Sequence, residues 1–176
     1  MFRKIFVDYD FNEVFDTDWY KYKHSCKNHQ KVELKDIHDT VGGFPESYSD
    51  MNTMFYQKFF REDEIDFKNL GEQLQIEPIT VSAINLPPGM TNPLHRDTFY
   101  QVKKRFPERA NENIVRANIF LEDWKWGHFL QFNDEVVTHW KKNTGYLWDS
   151  SVLHLAVNAG LENRFTLQVS GFYYGV

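Results

Sequence analysis

The sequence predicts an α+β chain that is mainly β, with helices near its start and an antiparallel sandwich or barrel after them. Past Glu77-Pro78 the chain divides into short β-prone runs separated by turn signals, with no helix expected between them. Upstream, residues 49–74 place apolar side chains at helical spacing. No internal repeat or low-complexity run is present, which sets solenoids and propellers aside.

Taken in order, residues 1–45 are polar, aromatic and irregular up to the breaker Gly42-Gly43-Phe44-Pro45, and read as strands and loops packed on the main body. From Ser49, the spacing of Met51, Met54, Phe55, Phe59 and Phe60 predicts a helix, followed by Arg61-Glu62-Asp63-Glu64. A second short helix is expected over Asp66 to Leu74. The strand from Thr80 to Leu86 is broken by the turn Pro87-Pro88-Gly89. Further strands are expected over Asn92–Asp97, Ile114–Leu121, His128–Phe132, Val136–Trp140, Gly145–Trp148, Leu153–Asn158 and Arg164–Phe172. Residues 1–176 read as a single domain, with 1–75 as irregular and helical support and 76–176 as the β core.

Composition narrows the function classes. The 176 residues carry a formal net charge of −5, so no global basic surface invites nucleic acid. No apolar run approaches the roughly 20 residues of a membrane-spanning helix. The start turns acidic at Asp8, too soon for a signal peptide, and a cytoplasmic protein is expected. Cys26 is the only cysteine, which excludes an internal disulfide and a thiolate zinc cluster. Rings are abundant, with 16 Phe, 9 Tyr and 5 Trp, and they can fill a wide core or line a pocket.

Side chains alternate faces along a strand. In 164–170, Phe165, Leu167 and Val169 share one face, and Arg164, Thr166, Gln168 and Ser170 the other. In 114–121, Val115, Ala117, Ile119 and Leu121 oppose Arg116, Asn118 and Phe120. In 153–158, Leu153, Leu155 and Val157 oppose His154, Ala156 and Asn158. One reading is a sheet with a wet face. The other is that helices cover the apolar face and the polar one looks into a barrel. Burying Arg116 or Arg164 there without a partner is costly, and an anionic ligand would relieve the cost.

Among seven histidines, only His95 has a carboxylate two residues on, in His95-Arg96-Asp97. In a strand, positions i and i+2 face the same way, so both side chains can grip one cation. A third ligand must come from another strand, with His128, His139 and His154 as candidates. His154 is favoured, because it lies on a polar face and Arg164 returns to the cavity ten residues later through the turn Asn158–Asn163. Two histidines and one carboxylate match the arrangement of non-haem Fe(II) oxygenases. Arg164 can then take a carboxylate of a metal-bound co-substrate in bidentate fashion. His24, His29 and His38 read as structural or surface residues, and Lys103-Lys104-Arg105 as a solvated face.

Pro88-Gly89, His95-Arg96-Asp97, Arg116-Ala117-Asn118-Ile119-Phe120-Leu121, Gly145-Tyr146-Leu147-Trp148-Asp149, His154 and Arg164 together resemble the aspartyl/asparaginyl β-hydroxylase-like group of 2-oxoglutarate/Fe(II) dioxygenases, which includes bacterial proline 3-hydroxylases. The likeness spans residues 79–172, while residues 1–75 match nothing in it. It implies a double-stranded β-helix (jelly-roll) core, Fe(II) on His95, Asp97 and His154, and 2-oxoglutarate with its distal carboxylate on Arg164. It also implies that Arg116 and Asn118 belong to the co-substrate pocket. The group's vertebrate-type members lack the metal-binding carboxylate, whereas Asp97 is kept here, which moves the chain towards the small-molecule hydroxylases. The implied reaction consumes O2 and 2-oxoglutarate and releases succinate and CO2.

Residues beside the ligands, Arg96, Thr98, Phe99 and Tyr100, are expected at the cavity mouth, with Trp124, Trp126 and Trp148 as an aromatic wall. His128 is a candidate for touching iron or substrate. Alternation turns Arg96 away from the metal. The expected partner is a small-molecule or peptide substrate, with no nucleic acid and no membrane. Two other readings stay open: a metal-dependent cupin of another class, such as an isomerase or a co-substrate-free dioxygenase, and a non-catalytic binding module.

Overall fold

The computed structural model describes residues 1–25, 49 and 51–175; Cys26, His29, His38 and Gly42–Pro45 lie outside them. Eleven described strands run β1 (Phe2–Phe6), β2 (Lys23–Ser25), β3 (Met54–Phe60), β4 (Ile76–Leu86), β5 (Thr91–His95), β6 (Ile114–Phe120), β7 (His128–Phe132), β8 (Glu135–Val137), β9 (Thr144–Asp149), β10 (His154–Asn158) and β11 (Arg164–Tyr173). The described helices are α1 (Asn12–Phe15), α2 (Phe67–Leu74) and α3 (Tyr100–Arg105), with short 3-10 turns at Trp19–Tyr22 and Pro107–Arg109.

The strands form two antiparallel sheets, ordered β1-β9-β6-β11-β4-β3-β2 and β5-β10-β7-β8. From β4 onward the chain alternates between them. β4, β6, β9 and β11 enter the large sheet, and β5, the β7–β8 hairpin and β10 the small one. This is the double-stranded β-helix.

The two faces of the large sheet follow the period-two pattern. Leu167 and Val169 of β11 pack with Val81, Ala83, Val115, Ala117 and Ile119 on the outer face. Phe11, Val14, Leu70 and Leu74 of the α1 and α2 regions cover them. Asp66 caps α2 by accepting from the Asn69 backbone N–H at 2.9 Å. The inner face holds a second core of Phe120, Leu130, Phe132, Trp140, Trp148 and Val152. Asn118, Arg164, Thr166 and Ser170 are buried beside it. The polar face is therefore interior, not wet.

Three local expectations need correction. Residues 54–60 are a strand, not a helix. Their apolar residues fit both periods, and β4 supplies a partner for a segment rich in β-favouring Phe and Tyr, pairing Phe59 with Ser82 and Gln57 with Ile84. The strand expected over Val136–Trp140 stops at Val137, because His139 takes a positive φ of 55° and turns Trp140 inward as loop. A helix, α3, does interrupt the β region. Its Val102 packs with Phe99, Ile114 and Phe172 in a small separate core.

Candidate metal centre

Register brings the three expected ligands together. β10 pairs antiparallel with β5 so that His154 stands opposite His95, their ring centroids 4.2 Å apart. Asp97 follows two residues after the end of β5. Its Oδ1 lies 3.9 Å from His95 Nε2 and its Oδ2 lies 3.7 Å from His154 Nε2. One ligand atom from each residue falls within 4.8 Å of the others, and all three residues are buried. Among the described residues no other such group of His, Cys, Asp or Glu was found.

The neighbours set the chemical state of each ligand. His95 Nδ1 lies 2.7 Å from the Pro93 carbonyl, and His154 Nδ1 lies 3.1 Å from the Val152 carbonyl. A carbonyl only accepts, so each Nδ1 carries the proton and each Nε2 keeps its lone pair for a cation. Burial, followed by the neighbouring His154, holds the His95 imidazole down to about 3. Burial lowers His154 as well, against the pull of Asp97. For Asp97 burial acts upward, but Arg116 and the two imidazoles outweigh it and hold the carboxyl down to about 2. Two neutral imidazoles and one carboxylate are the donor set that suits a divalent first-row metal such as Fe(II).

Asp97 is gripped from both sides. Arg116 Nη1 donates to Oδ1 at 2.6 Å and Trp148 Nε1 donates to Oδ2 at 2.8 Å. Adjacent strands cause this, since β6 pairs with β9 so that Arg116 stands opposite Trp148. Ser170, opposite Arg116 on β11, accepts from Arg116 Nε at 3.1 Å. Arg116, implied for the co-substrate by the resemblance, thus has its Nη1 and Nε on Asp97 and Ser170. Trp148, expected on a substrate wall, is 1% exposed with its indole on Asp97. The sequence held both residues but not the pairing, because only register makes them neighbours.

Arg164 opens β11 on the same interior face. It is 4% exposed, and its Nε and Nη2 are buried without a hydrogen-bond partner among the described residues. Its guanidinium carbon lies 5.7 Å from the Trp140 ring, which stacks on Phe120 at 4.1 Å. Burial lowers its pKa to about 10, so it remains cationic at neutral pH. Asn158 builds the turn that delivers it. Its Nδ2 donates to the carbonyls of Leu86 and Glu162, and its Oδ1 accepts from Gly160. Gly127, at φ +85°, has no room for a side chain because Gly160's backbone presses on it.

The remaining expected residues divide. Asn118 is buried between Gln168 and Tyr146 in register, with its Oδ1 unpaired. His128 is buried near Trp140, and its Nε2 donates to the Glu162 carbonyl at 3.0 Å. Burial lowers its pKa. It does not join the triad. His139 is exposed and stacks on Trp124. Trp126 is also exposed, and neither Trp124 nor Trp126 lines the cavity described next.

A cavity of about 420 Å³ opens against His95 and Asp97. Phe99, Tyr100, Arg116, Gln168, Ser82 and Phe59 contribute to its wall. Arg96 lines it too, because β5 ends at His95 and strict alternation ends with it. His24, expected at the surface, is exposed at the cavity edge and stacks on Phe55.

No family model and no curated protein matches the chain. Among solved structures it is similar to a viral collagen prolyl hydroxylase from Paramecium bursaria Chlorella virus-1, described as its 2OG complex. That match has a TM-score of 0.56 at 10% identity and covers 99% of this chain and 96% of that one. It is also similar to a prolyl-4-hydroxylase from Pseudomonas putida, with a TM-score of 0.50 at 14% identity, covering 92% and 98%. A predicted oxalate decarboxylase from Thermotoga maritima matches with a TM-score of 0.43 at 14% identity, over 68% and 81%. At these identities the likeness to the two hydroxylases is one of fold: this chain is a double-stranded β-helix protein with a possible His-Asp-His metal site.

Proposed function

We propose that this protein is a non-haem Fe(II)- and 2-oxoglutarate-dependent oxygenase of the aspartyl/asparaginyl β-hydroxylase-like group. It hydroxylates an amino-acid or peptide side chain and releases succinate and CO2. The observation that carries the reading is Arg164, a buried cation with two nitrogens unpartnered among the described residues, on the sheet whose Arg116 and Trp148 grip Asp97 of the His-Asp-His triad. An isolated buried charge is costly, and a carboxylate arriving with a metal-bound guest would offset that cost. A cupin of another class would use the same three ligands but leaves this guanidinium without a role. Both hydroxylase neighbours that superpose over nearly the whole chain agree with the reading.

In this reading His95, Asp97 and His154 hold the metal, and their protonation states already suit it. When bound, Fe(II) with 2-oxoglutarate supplies the O2-driven oxidation of an unactivated C–H bond. Arg164 binds and orients the distal carboxylate of the co-substrate, and Asn118 offers its amide to the same interior. Phe120, Trp140 and Phe132 exclude water around that carboxylate, which strengthens its pairing with Arg164. Arg116 and Trp148 keep Asp97 ionised and aimed. Phe99 and Tyr100 wall the substrate cavity.

The test is anaerobic addition of Fe(II) and then 2-oxoglutarate to the purified protein. A weak visible charge-transfer band is expected from the wild type and not from His95→Ala. Arg164→Ala is expected to remove the 2-oxoglutarate dependence of succinate release. Retention of the band by His95→Ala would end the ligand assignment.

A further inference from the structure

Positive charge gathers on one side of the cavity. The chain as a whole has 25 Asp and Glu against 20 Lys and Arg. Between residues 96 and 106, however, Arg96, Lys103, Lys104 and Arg105 face a single carboxylate, Asp97, which is buried and held by Arg116. These four side chains are exposed, and none is ion-paired with another described residue. By contrast Lys58, Arg109, Lys125 and Lys141 each have a carboxylate within 4 Å.

This segment is also the cavity rim. Arg96 and Tyr100 line the cavity. Lys104 Nζ sits 5.9 Å from the Tyr100 ring centroid, and Lys103 lines a shallower hollow that shares Phe99 and whose carboxylates, Glu112 and Asp149, are already paired with Arg109 and the N-terminal amine. Among the described residues Asp97 is the sole carboxylate on the cavity wall, and Arg96 and Arg116 outnumber it even before a dication binds. A guest whose body enters the cavity therefore meets amide and aromatic walls inside and unpaired cations outside.

We infer that the substrate is an acidic peptide segment, with its target side chain in the cavity and neighbouring Asp or Glu residues on the rim formed by Arg96, Lys103 and Lys104. This rests on the cavity being the oxygenase's substrate site. Extended chain advances about 3.3 Å per residue, so carboxylates two or three positions from the target fall roughly 7–10 Å away, over α3. A free dicarboxylate would fit inside and have no use for Lys103 or Lys104. Nucleic acid is disfavoured, because the basic run is one short helix on a net-acidic chain and provides no track for successive phosphates.

The experiment is fluorescence anisotropy with full-length protein and a fluorescein-labelled Glu-Gly-Ala repeat peptide, at low and moderate salt. The acidic peptide is expected to bind at least about 10-fold tighter than its Gln-substituted counterpart, with the advantage shrinking as salt rises. Lys103→Glu/Lys104→Glu is expected to remove that advantage, while Lys142→Glu, the same kind of charge change at a remote exposed lysine, leaves it in place. Equal binding of the Gln peptide overturns the inference. So does tighter binding of an oligo-dT of matched charge, displacement of the peptide by equimolar free glutamate, or an equal loss in Lys142→Glu. His95→Ala separates the two readings. It should lose metal and keep the peptide, whereas a band absent from the wild type itself, with peptide selectivity intact, defeats only the oxygenase reading. A present band without peptide selectivity defeats only this inference.

Discussion

Two parts of the same barrel interior treat their charges in opposite ways. Around Asp97, each carboxylate oxygen already has a donor, Arg116 on one and Trp148 on the other, and each histidine Nδ1 has a carbonyl. Around Arg164, the guanidinium has aromatic neighbours and two nitrogens without acceptors. The first region is finished by the polypeptide alone, its lone pairs already convergent. The second has no acceptor among the described residues, and in the oxygenase reading the co-substrate's carboxylate supplies one. The two regions thus face one interior from two sheets, the histidines from β5 and β10 and Arg164 from the start of β11.

The contrast can be broken most directly at Arg164. Arg164→Met should weaken 2-oxoglutarate binding on the order of 100-fold or more, because a desolvated charge pair loses one member. The same change should stabilise the ligand-free protein by about 1–3 kcal/mol, since it removes an unpaired buried charge. Calorimetric titration and thermal melts read the two signs, and a destabilised ligand-free variant would mean that Arg164 has a partner after all. Next in size, Trp148→Phe keeps the ring packing on Phe132 and His154 but removes the donor to Asp97. Co(II) affinity should fall about 10- to 100-fold with shifted visible bands.

A third effect, spread over several pH units, is expected on acid stability without metal. His95 has a folded value of about 3 against an ordinary 6.5, so between those values the unfolded chain binds a proton that the folded chain refuses. This contribution is intact above about 6.5, and stability declines as pH falls towards 3, by up to about 1.4 kcal/mol per pH unit for that one proton. Asp97, depressed from 3.8 to about 2, adds a further loss over that lower window. Urea melts across this range should show a falling midpoint, and a flat profile would contradict the buried, neutral state of His95.

Much of this was legible without coordinates because strand periodicity is local. Residues 164–170 and 114–120 declare two faces by alternation alone, and the structure buries those faces in two different cores. His95, Asp97 and His154 were legible as types in order, with Arg164 following at a turn. What escaped depends on partners distant in the chain. Phe55 and Phe59 satisfy a helix and a strand equally well until β4 lies alongside. The grip of Arg116 and Trp148 on Asp97 exists only through the register of β6 with β9. Arg96, read as a residue of the cavity mouth, lines the cavity, although β5 ends two residues before the Asp97 that alternation assumed.

The tight backbone contact between Gly127 and Gly160 has a consequence for aim. Together with the bonds of Asn158 it fixes the turn from which Arg164 departs. A methyl group added at Gly127 would meet the Gly160 backbone and push that turn outward, carrying the guanidinium off its seat against Trp140. A position that never touches a guest would then decide where its charge is met.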